Sequence, residues 1–292
     1  MYLKYYGLNI KPFCLTPDPQ FLYLSTVHKR ALAYLTYGVE DQKGFITITG
    51  EVGTGKTTLI RTLLSRLTAD RVVAHVFNTT VSGSQLLEMI ALDFGIDCMT
   101  GSKAHLLHAL NTFLMQQYAV NKQALLIIDE AQNLSLEALE EIRLLSNLET
   151  EHRKLLQIIL VGQPELRDTL RLPQLRQLAQ RISVNYHLSP INQKETYSYI
   201  EHRLAVAGCL QAELFTPAAI EQIHHFSQGI PRLINVLCDA ALLLGYVDEV
   251  PQLYERHIAT VVHDLDLHWI ARDNGIQTTS LHTDRGQEHD VI

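Results

Sequence analysis

The chain has 292 residues, of which 47% are hydrophobic, and its 24 basic and 31 acidic side chains give a formal net charge of −7. This composition is typical of a globular protein with one large or two modest domains, and it argues against a protein that coats nucleic acid through its overall charge. The four cysteines are widely spaced and form no C-x-x-C pair, so a zinc ribbon or a disulfide framework is not expected.

Residues 1–25 are rich in aromatic residues and prolines, and we predict that they form an ordered but irregular arm. They lack the long apolar core of a signal peptide, and no apolar run of the chain is long enough to span a membrane. The sequence therefore predicts a cytoplasmic protein without an integral membrane segment.

A phosphate-binding loop is predicted where the apolar, β-branched segment 45–49 ends. The candidate loop residues, which follow the pattern G-x-x-x-x-G-K-T, are Gly50, Glu51, Val52, Gly53, Thr54, Gly55, Lys56, Thr57 and Thr58. A helical pattern follows at 59–67, and a chance glycine-rich turn would lack this context. Glycines let backbone N–H groups surround phosphate oxygens, and a helix start adds its positive dipole. Lys56 is expected to reach the β- and γ-phosphates of ATP, and Thr57 to hold Mg²⁺.

Strands and helices are predicted to alternate up to residue 189. The other strands are predicted at 72–77, 124–128, 155–161 and 182–188, and the other helices at 26–40, 84–94, 103–118 and 134–148. Several strands are continuous apolar runs, which indicates burial on both faces and hence a parallel sheet. The fold class predicted is therefore α/β, with five parallel strands flanked by helices.

No strand is visible after residue 190, where helices are predicted at 195–207, 217–227, 231–247 and 253–269. The chain is thus divided into an arm at 1–25, a nucleotide-binding α/β domain at 26–189, a small all-α lid domain at 190–270 and a polar tail at 271–292. The tail is expected to be disordered because it offers little apolar surface to bury.

Two carboxylates and an amide are predicted to complete the site. Asp129 and Glu130 follow the strand 124–128, at the edge where open α/β sheets bind ligands. Asp129 can support Mg²⁺, and Glu130 can orient water, which favours hydrolysis over transfer to another acceptor. Gln163 follows the next strand and would hydrogen-bond the γ-phosphate or the water. The alternatives are a solvated loop for the carboxylates and a simple turn for Gln163.

Three arginines are candidates for contacts with the phosphates. Arg176 and Arg181 precede the last predicted strand, where an arginine finger could reach the nucleotide of a neighbouring subunit. The alternative is that both are ordinary surface arginines. Arg232 lies at the start of a predicted lid helix, where the dipole disfavours a cation. That position indicates an anionic partner, such as the nucleotide phosphates.

The motifs together resemble those of AAA+ ATPases. GEVGTGKTT resembles Walker A and LLIIDEAQNL resembles Walker B. The resemblance implies ATP and Mg²⁺ as cofactors, a sensor 1 role for Gln163 and a sensor 2 role for Arg232 within GIPRLIN. It also places LRQLAQRIS in the arginine-finger region, where Arg181 matches the family position better than Arg176.

The arm, IDEAQNL, VGQPEL and GIPRLIN resemble the ExeA (general secretion pathway protein A) family over residues 1–270. With its short polar tail, the sequence is most similar to the MshM-like or exopolysaccharide- and exosortase-locus members. The resemblance implies a homo-oligomeric ring, expected to be a hexamer, that serves secretion, pilus or surface-polysaccharide machinery. It also allows a location at the periphery of the inner membrane.

Two functions are consistent with these residues. The first is an Mg-ATP-hydrolysing AAA+ ATPase that drives assembly or export in a secretion, type IV-like pilus or surface-polysaccharide system. The alternative is an ATP-dependent DNA-binding regulator of transposition, to which the family is related. The net negative charge favours the first. An ATP-dependent scaffold with little turnover is disfavoured, since it would not need Glu130.

Overall fold

A computed structural model of the chain describes residues 1–16, 18–68, 70–97, 102–149, 154–211 and 213–266. The strands are β1 (Phe45–Gly50), β2 (Arg71–Val76), β3 (Gln123–Ile128), β4 (Leu156–Gly162) and β5 (Ile182–Leu188). They form one sheet in the order β2-β3-β4-β1-β5, and every neighbouring pair is parallel. Because β4 lies between β3 and β1, the segments that leave these three strands meet at one edge of the sheet.

Helices cover both faces of the sheet. The helices before β5 are α2 (Thr26–Glu40), α3 (Lys56–Leu64), α4 (Gly83–Asp93), α5 (Lys103–Ala119), α6 (Leu136–Leu145), α7 (Glu165–Leu170) and α8 (Arg176–Ala179). α2 and α3 share one apolar cluster with the sheet, and α4 to α8 share the opposite one. β1 and β4 are buried along their whole length, as expected of continuous apolar runs between two helical layers.

Serine side chains fix the starts of four of these helices. The capping residues are Ser25, Ser82, Ser102 and Ser135, each of which accepts a backbone N–H from the first turn of its helix. A cap of this kind stabilises a helix by about 1 kcal/mol. The caps therefore set where the helices begin in the chain.

The four remaining helices form a second layer with its own apolar core: α9 (Gln193–Val206), α10 (Pro217–Ser227), α11 (Pro231–Val247) and α12 (Glu255–Asp264). The amino-terminal arm belongs to the same core. It contains a short helix, α1 (Tyr2–Tyr5), and a 3₁₀ turn at Pro19–Phe21. Its buried side chains are Tyr2, Tyr6, Leu8, Phe13 and Phe21. The arm therefore packs against the carboxy-terminal helices, although it precedes the sheet in the chain.

The predicted fold class is confirmed, with small differences at helix ends. The helix predicted at 134–148 spans only Leu136–Leu145, because Leu134 is extended and Ser135 caps the helix. The helix predicted at 253–269 begins at Glu255. Its last three residues and the predicted tail at 271–292 lie outside the described residues. Within the described ranges, no helix combines the length and the apolar character needed to cross a membrane.

Candidate functional site

The phosphate-binding loop passes directly from β1 into α3. Gly53 and Gly55 have φ angles of 85° and 98°, which non-glycine residues rarely adopt. Gly55 is the residue before the first turn of α3, so the N–H groups at the start of this helix face the loop. This arrangement provides the backbone donors and the helix dipole that bind phosphate groups.

Lys56 is buried beneath this loop. Its Nζ donates to the carbonyl oxygens of Gly50, at 2.8 Å, and Glu51, at 3.0 Å. Burial lowers the pKa of the Lys56 ammonium, while the nearby carboxylates of Glu130 and Asp129 act in the opposite direction. A phosphate oxygen can therefore accept a further hydrogen bond from the Lys56 ammonium.

Thr57 and Asp129 meet at the carboxyl edge of the sheet. The Thr57 hydroxyl donates to Asp129 Oδ2 at 3.2 Å, and the Asp129 side chain is buried. The other carboxylate oxygen, Oδ1, accepts the backbone N–H of Glu130 at 2.9 Å. A hydroxyl and a carboxylate are hard oxygen donors of the kind that Mg²⁺ prefers, so this pair would fit a magnesium ion.

Glu130 is held by two amide side chains. Its Oε2 accepts from Gln132 Nε2 at 2.5 Å and from Gln163 Nε2 at 3.3 Å. Gln132 also accepts the backbone N–H of Gln163 through Oε1, at 3.0 Å. The Glu130 backbone has a φ of 51°, and its carbonyl accepts from the Thr79 hydroxyl at 2.8 Å. The site thus includes Gln132, which motif reading alone did not select.

The start of α11 contacts the phosphate-binding loop. The backbone N–H of Arg232 donates to the Gly53 carbonyl at 3.2 Å. A Cβ on Gly53 would lie 2.6 Å from the Arg232 Cβ, so this close approach requires glycine. The Arg232 side chain is exposed and borders the same cavity as Lys56 and Thr57.

A cavity of about 370 Å³ lies between the phosphate-binding loop, Glu130, the arm and the start of α11. The loop, Glu130 and Arg232 line one part, and residues of the arm and of α9 and α11 line the other. Tyr199 donates through its hydroxyl to Asn235 Oδ1 at 2.9 Å, which links α9 to α11 at the cavity wall. The arm contributes Asp18 and Tyr23 to the lining. The sequence predicted an irregular arm that carries part of the family resemblance, but it did not predict that the arm lines the site.

Arg176 and Arg181 lie at the amino end of β5, whereas the loop lies at the carboxyl ends of the strands. The seven residues of β5 span roughly 20 Å at about 3.3 Å per residue. Arg176 is exposed. Arg181 is partly buried and donates through Nη1 to Ser146 Oγ at 2.7 Å. Neither arginine is therefore placed with the other site residues of its own chain.

Comparisons with known proteins agree with this geometry. Residues 39–170 match the AAA domain family. The chain is 45% identical over 267 residues to general secretion pathway protein A of Aeromonas hydrophila, covering 91% of this chain. It spans 48% of the length of that relative.

Solved structures show the same fold at low identity. The Aeropyrum pernix ORC2 protein, in ADPNP-ADP complexes, has a TM-score of 0.62 and 20% identity, covering 88% of this chain and 72% of that one. Cdc6p of Pyrobaculum aerophilum has a TM-score of 0.63 and 16% identity, with 87% and 70% covered. The Thermotoga maritima RuvB branch migration motor has a TM-score of 0.54 and 19% identity, with 84% and 70% covered.

The sheet order, the phosphate loop and the matched domain define an AAA+ P-loop NTPase. Within that class, 45% identity over 91% of the chain supports an ATPase similar to the ExeA, or general secretion pathway protein A, family.

Proposed function

We propose that the chain binds ATP with Mg²⁺ and hydrolyses it. The observation that carries this proposal is the contact of Thr57 with Asp129 beside a Glu130 carboxylate held by Gln163. These residues lie at one edge of the sheet, where they would supply two oxygen ligands for the metal, a carboxylate to orient water and an amide donor for the γ-phosphate. Mg²⁺, when bound, would neutralise charge on the phosphate oxygens.

These positions support the following role for each residue in the proposed reaction. Lys56 binds the β- and γ-phosphates, and the backbone from Gly50 to Thr58 surrounds them. Glu130 orients the attacking water and accepts its proton, and Gln163 hydrogen-bonds the γ-phosphate or the water. Arg232 contacts the phosphates from the lid. Arg181, with Arg176 as the other candidate, reaches the nucleotide of a neighbouring copy, because it lies too far from its own loop.

We further propose that hydrolysis drives assembly or export in a secretion system, with pilus and surface-polysaccharide systems as the related settings. The relative of 45% identity supports the secretion setting. The active form would be a homo-oligomeric ring, with six copies as the family expectation, in the cytoplasm or at the periphery of the inner membrane. Its partners would be components of that machinery.

Two substitutions test the hydrolysis. Lys56→Ala is expected to abolish ATP binding. Glu130→Gln is expected to keep binding and to lower kcat by about 10²- to 10⁴-fold, the usual effect of losing a general base. Lys122→Ala, which changes an exposed lysine, is the matched control. Phosphate release and nucleotide affinity would be measured for each variant. A Glu130→Gln variant with wild-type turnover would refute the proposed role, and ATP-dependent DNA retardation would favour the transposition alternative.

A further inference from the structure

His28 lies in the first turn of α2 and contacts the phosphate-binding loop at Thr54. Its ring is buried, with Nε2 2.9 Å from the carbonyl oxygen of Thr54 and Nδ1 2.6 Å from Ser25 Oγ. A carbonyl oxygen only accepts hydrogen bonds, so Nε2 must carry the proton. Nδ1 then accepts from the Ser25 hydroxyl. Because burial lowers the pKa of His28, the imidazole is neutral, and the two partners then select its Nε2–H tautomer.

This contact fixes the orientation of a peptide group in the loop. The Thr54–Gly55 peptide is planar and trans, so its carbonyl and its N–H point in opposite directions. When His28 binds the Thr54 carbonyl, the N–H of Gly55 faces away from the imidazole. In phosphate-binding loops, backbone N–H groups at this position face the phosphates.

Gly55 is also suited to this contact for a steric reason. A Cβ on Gly55 would lie 2.9 Å from His28 Nε2, which is closer than ordinary side-chain packing permits. Glycine is therefore required at position 55 for two reasons: the left-handed backbone conformation and the close approach of the imidazole.

The same turn of α2 contacts the lid. The backbone N–H of Thr26 donates to Glu195 Oε1, on α9, at 2.6 Å. His28 and Thr26 are two residues apart, so one turn contacts both the phosphate loop and a lid helix. None of these contacts corresponds to a motif, because they join residues far apart in sequence.

We propose that His28 is a positioning residue for the phosphate-binding loop: its Nε2–H fixes the Thr54–Gly55 peptide so that the Gly55 N–H binds the β-phosphate. The inference rests on the proposed function, since it assumes that the loop binds ATP or ADP. If His28 only filled space, its substitution would lower the stability of the fold but would not weaken ADP binding more than AMP binding.

Two amide substitutions of His28 distinguish the role of Nε2 from that of Nδ1. In His28→Gln, the amide nitrogen reaches the place of Nε2 and keeps a donor for Thr54. In His28→Asn, the shorter amide reaches only the place of Nδ1. Dissociation constants for ADP and AMP would be measured by calorimetry. His28→Asn is expected to weaken ADP binding by about 3- to 10-fold, the effect of one lost hydrogen bond, and His28→Gln by less than about twofold.

AMP provides the matched ligand control, because it lacks the β-phosphate and its affinity should be equal in all three proteins. Equal ADP affinity for the two variants, or a parallel loss of AMP affinity, would overturn the inference. A wild-type protein that binds no ADP would refute the proposed function itself.

A measurement on the wild-type protein covers the case in which His28→Asn does not fold. Nitrogen-15 NMR of histidine-labelled protein reports the tautomer of each ring, and His28 is expected to carry its proton on Nε2. A proton on Nδ1 would overturn the inference without any variant.

Discussion

Gln132 connects the candidate water-orienting carboxylate to Gln163. Its Nε2 donates to Glu130 Oε2 at 2.5 Å, and its Oε1 accepts the Gln163 backbone N–H at 3.0 Å. One side chain therefore fixes both the direction of the Glu130 carboxylate and the start of the segment after β4. Because phosphoryl transfer depends mainly on positioning, this connection should matter for turnover.

We therefore expect Gln132→Ala to lower kcat by about 10- to 100-fold, since hydrogen bonds to charged groups are worth about 1.5–3 kcal/mol. The affinity for ATP should change little, because Gln132 does not line the nucleotide cavity. Steady-state hydrolysis and nucleotide binding would be measured together. Asn133→Ala, at an exposed neighbouring position, is the control. Wild-type turnover in Gln132→Ala would show that Glu130 needs no such support.

The arginine finger can be assigned by mixing variants. If Arg181 acts on a neighbour, Arg181→Ala should lower turnover by about 10³-fold with little change in ATP affinity, and Arg176→Ala should have a smaller effect. Adding the Lys56→Ala variant, which keeps its arginines, should restore part of the activity in mixed oligomers. The reverse ranking of the two variants would assign the finger to the exposed Arg176, and no gain in any mixture would exclude action in trans.

The sequence predicted well those features that are determined by short segments. The phosphate loop, the paired carboxylates Asp129 and Glu130, and the strand bounds each depend on a run of neighbouring residues, and the structure has the strands within two residues of the predictions. The roles of the candidate site residues stay predictions until variants are measured.

Contacts between distant segments could not be predicted in the same way. The Tyr2 hydroxyl donates to Asp239 Oδ1 across 237 positions of sequence, and this kind of contact places the arm on the carboxy-terminal helices. The contacts of His28 and Gln132 could not be predicted either, because a single histidine or glutamine forms no periodic pattern that indicates its partner. Their identification required the positions of the loop and of β4.

Arg203 holds the arm against the lid, and its loss should destabilise the protein. It is buried and donates to the carbonyls of Pro12, at 2.5 Å, and Cys14, at 3.3 Å, and to the Tyr199 hydroxyl at 2.9 Å. Arg203→Met keeps much of the volume but leaves these acceptors without their donor. We expect the free energy of unfolding to fall by about 2–4 kcal/mol.

Denaturant unfolding would measure this change, and Arg256→Ala provides the control. Arg256 is exposed and lies over the Tyr254 ring at 5.4 Å, so its removal should cost less than about 1 kcal/mol. Equal stability of Arg203→Met and wild type would mean that the Arg203 hydrogen bonds do not contribute to holding the arm.

The stability of the protein should fall as the pH drops from about 6.5 to about 5.5. Burial lowers the pKa of five histidines, namely His28, His75, His187, His224 and His257. When the folded pKa of a histidine lies below its unfolded value of 6.5, the unfolded chain binds more protons, so the stabilisation is complete above about pH 6.5 and is lost as the pH falls below it. Glu201, whose pKa is raised by burial, has the opposite effect, but it is one group against five. Unfolding free energies measured across this range should therefore decrease with falling pH, and His28→Gln should show a shallower decrease than the wild-type protein. A stability that stays constant or rises as the pH falls would show that these rings are not held neutral in the folded protein.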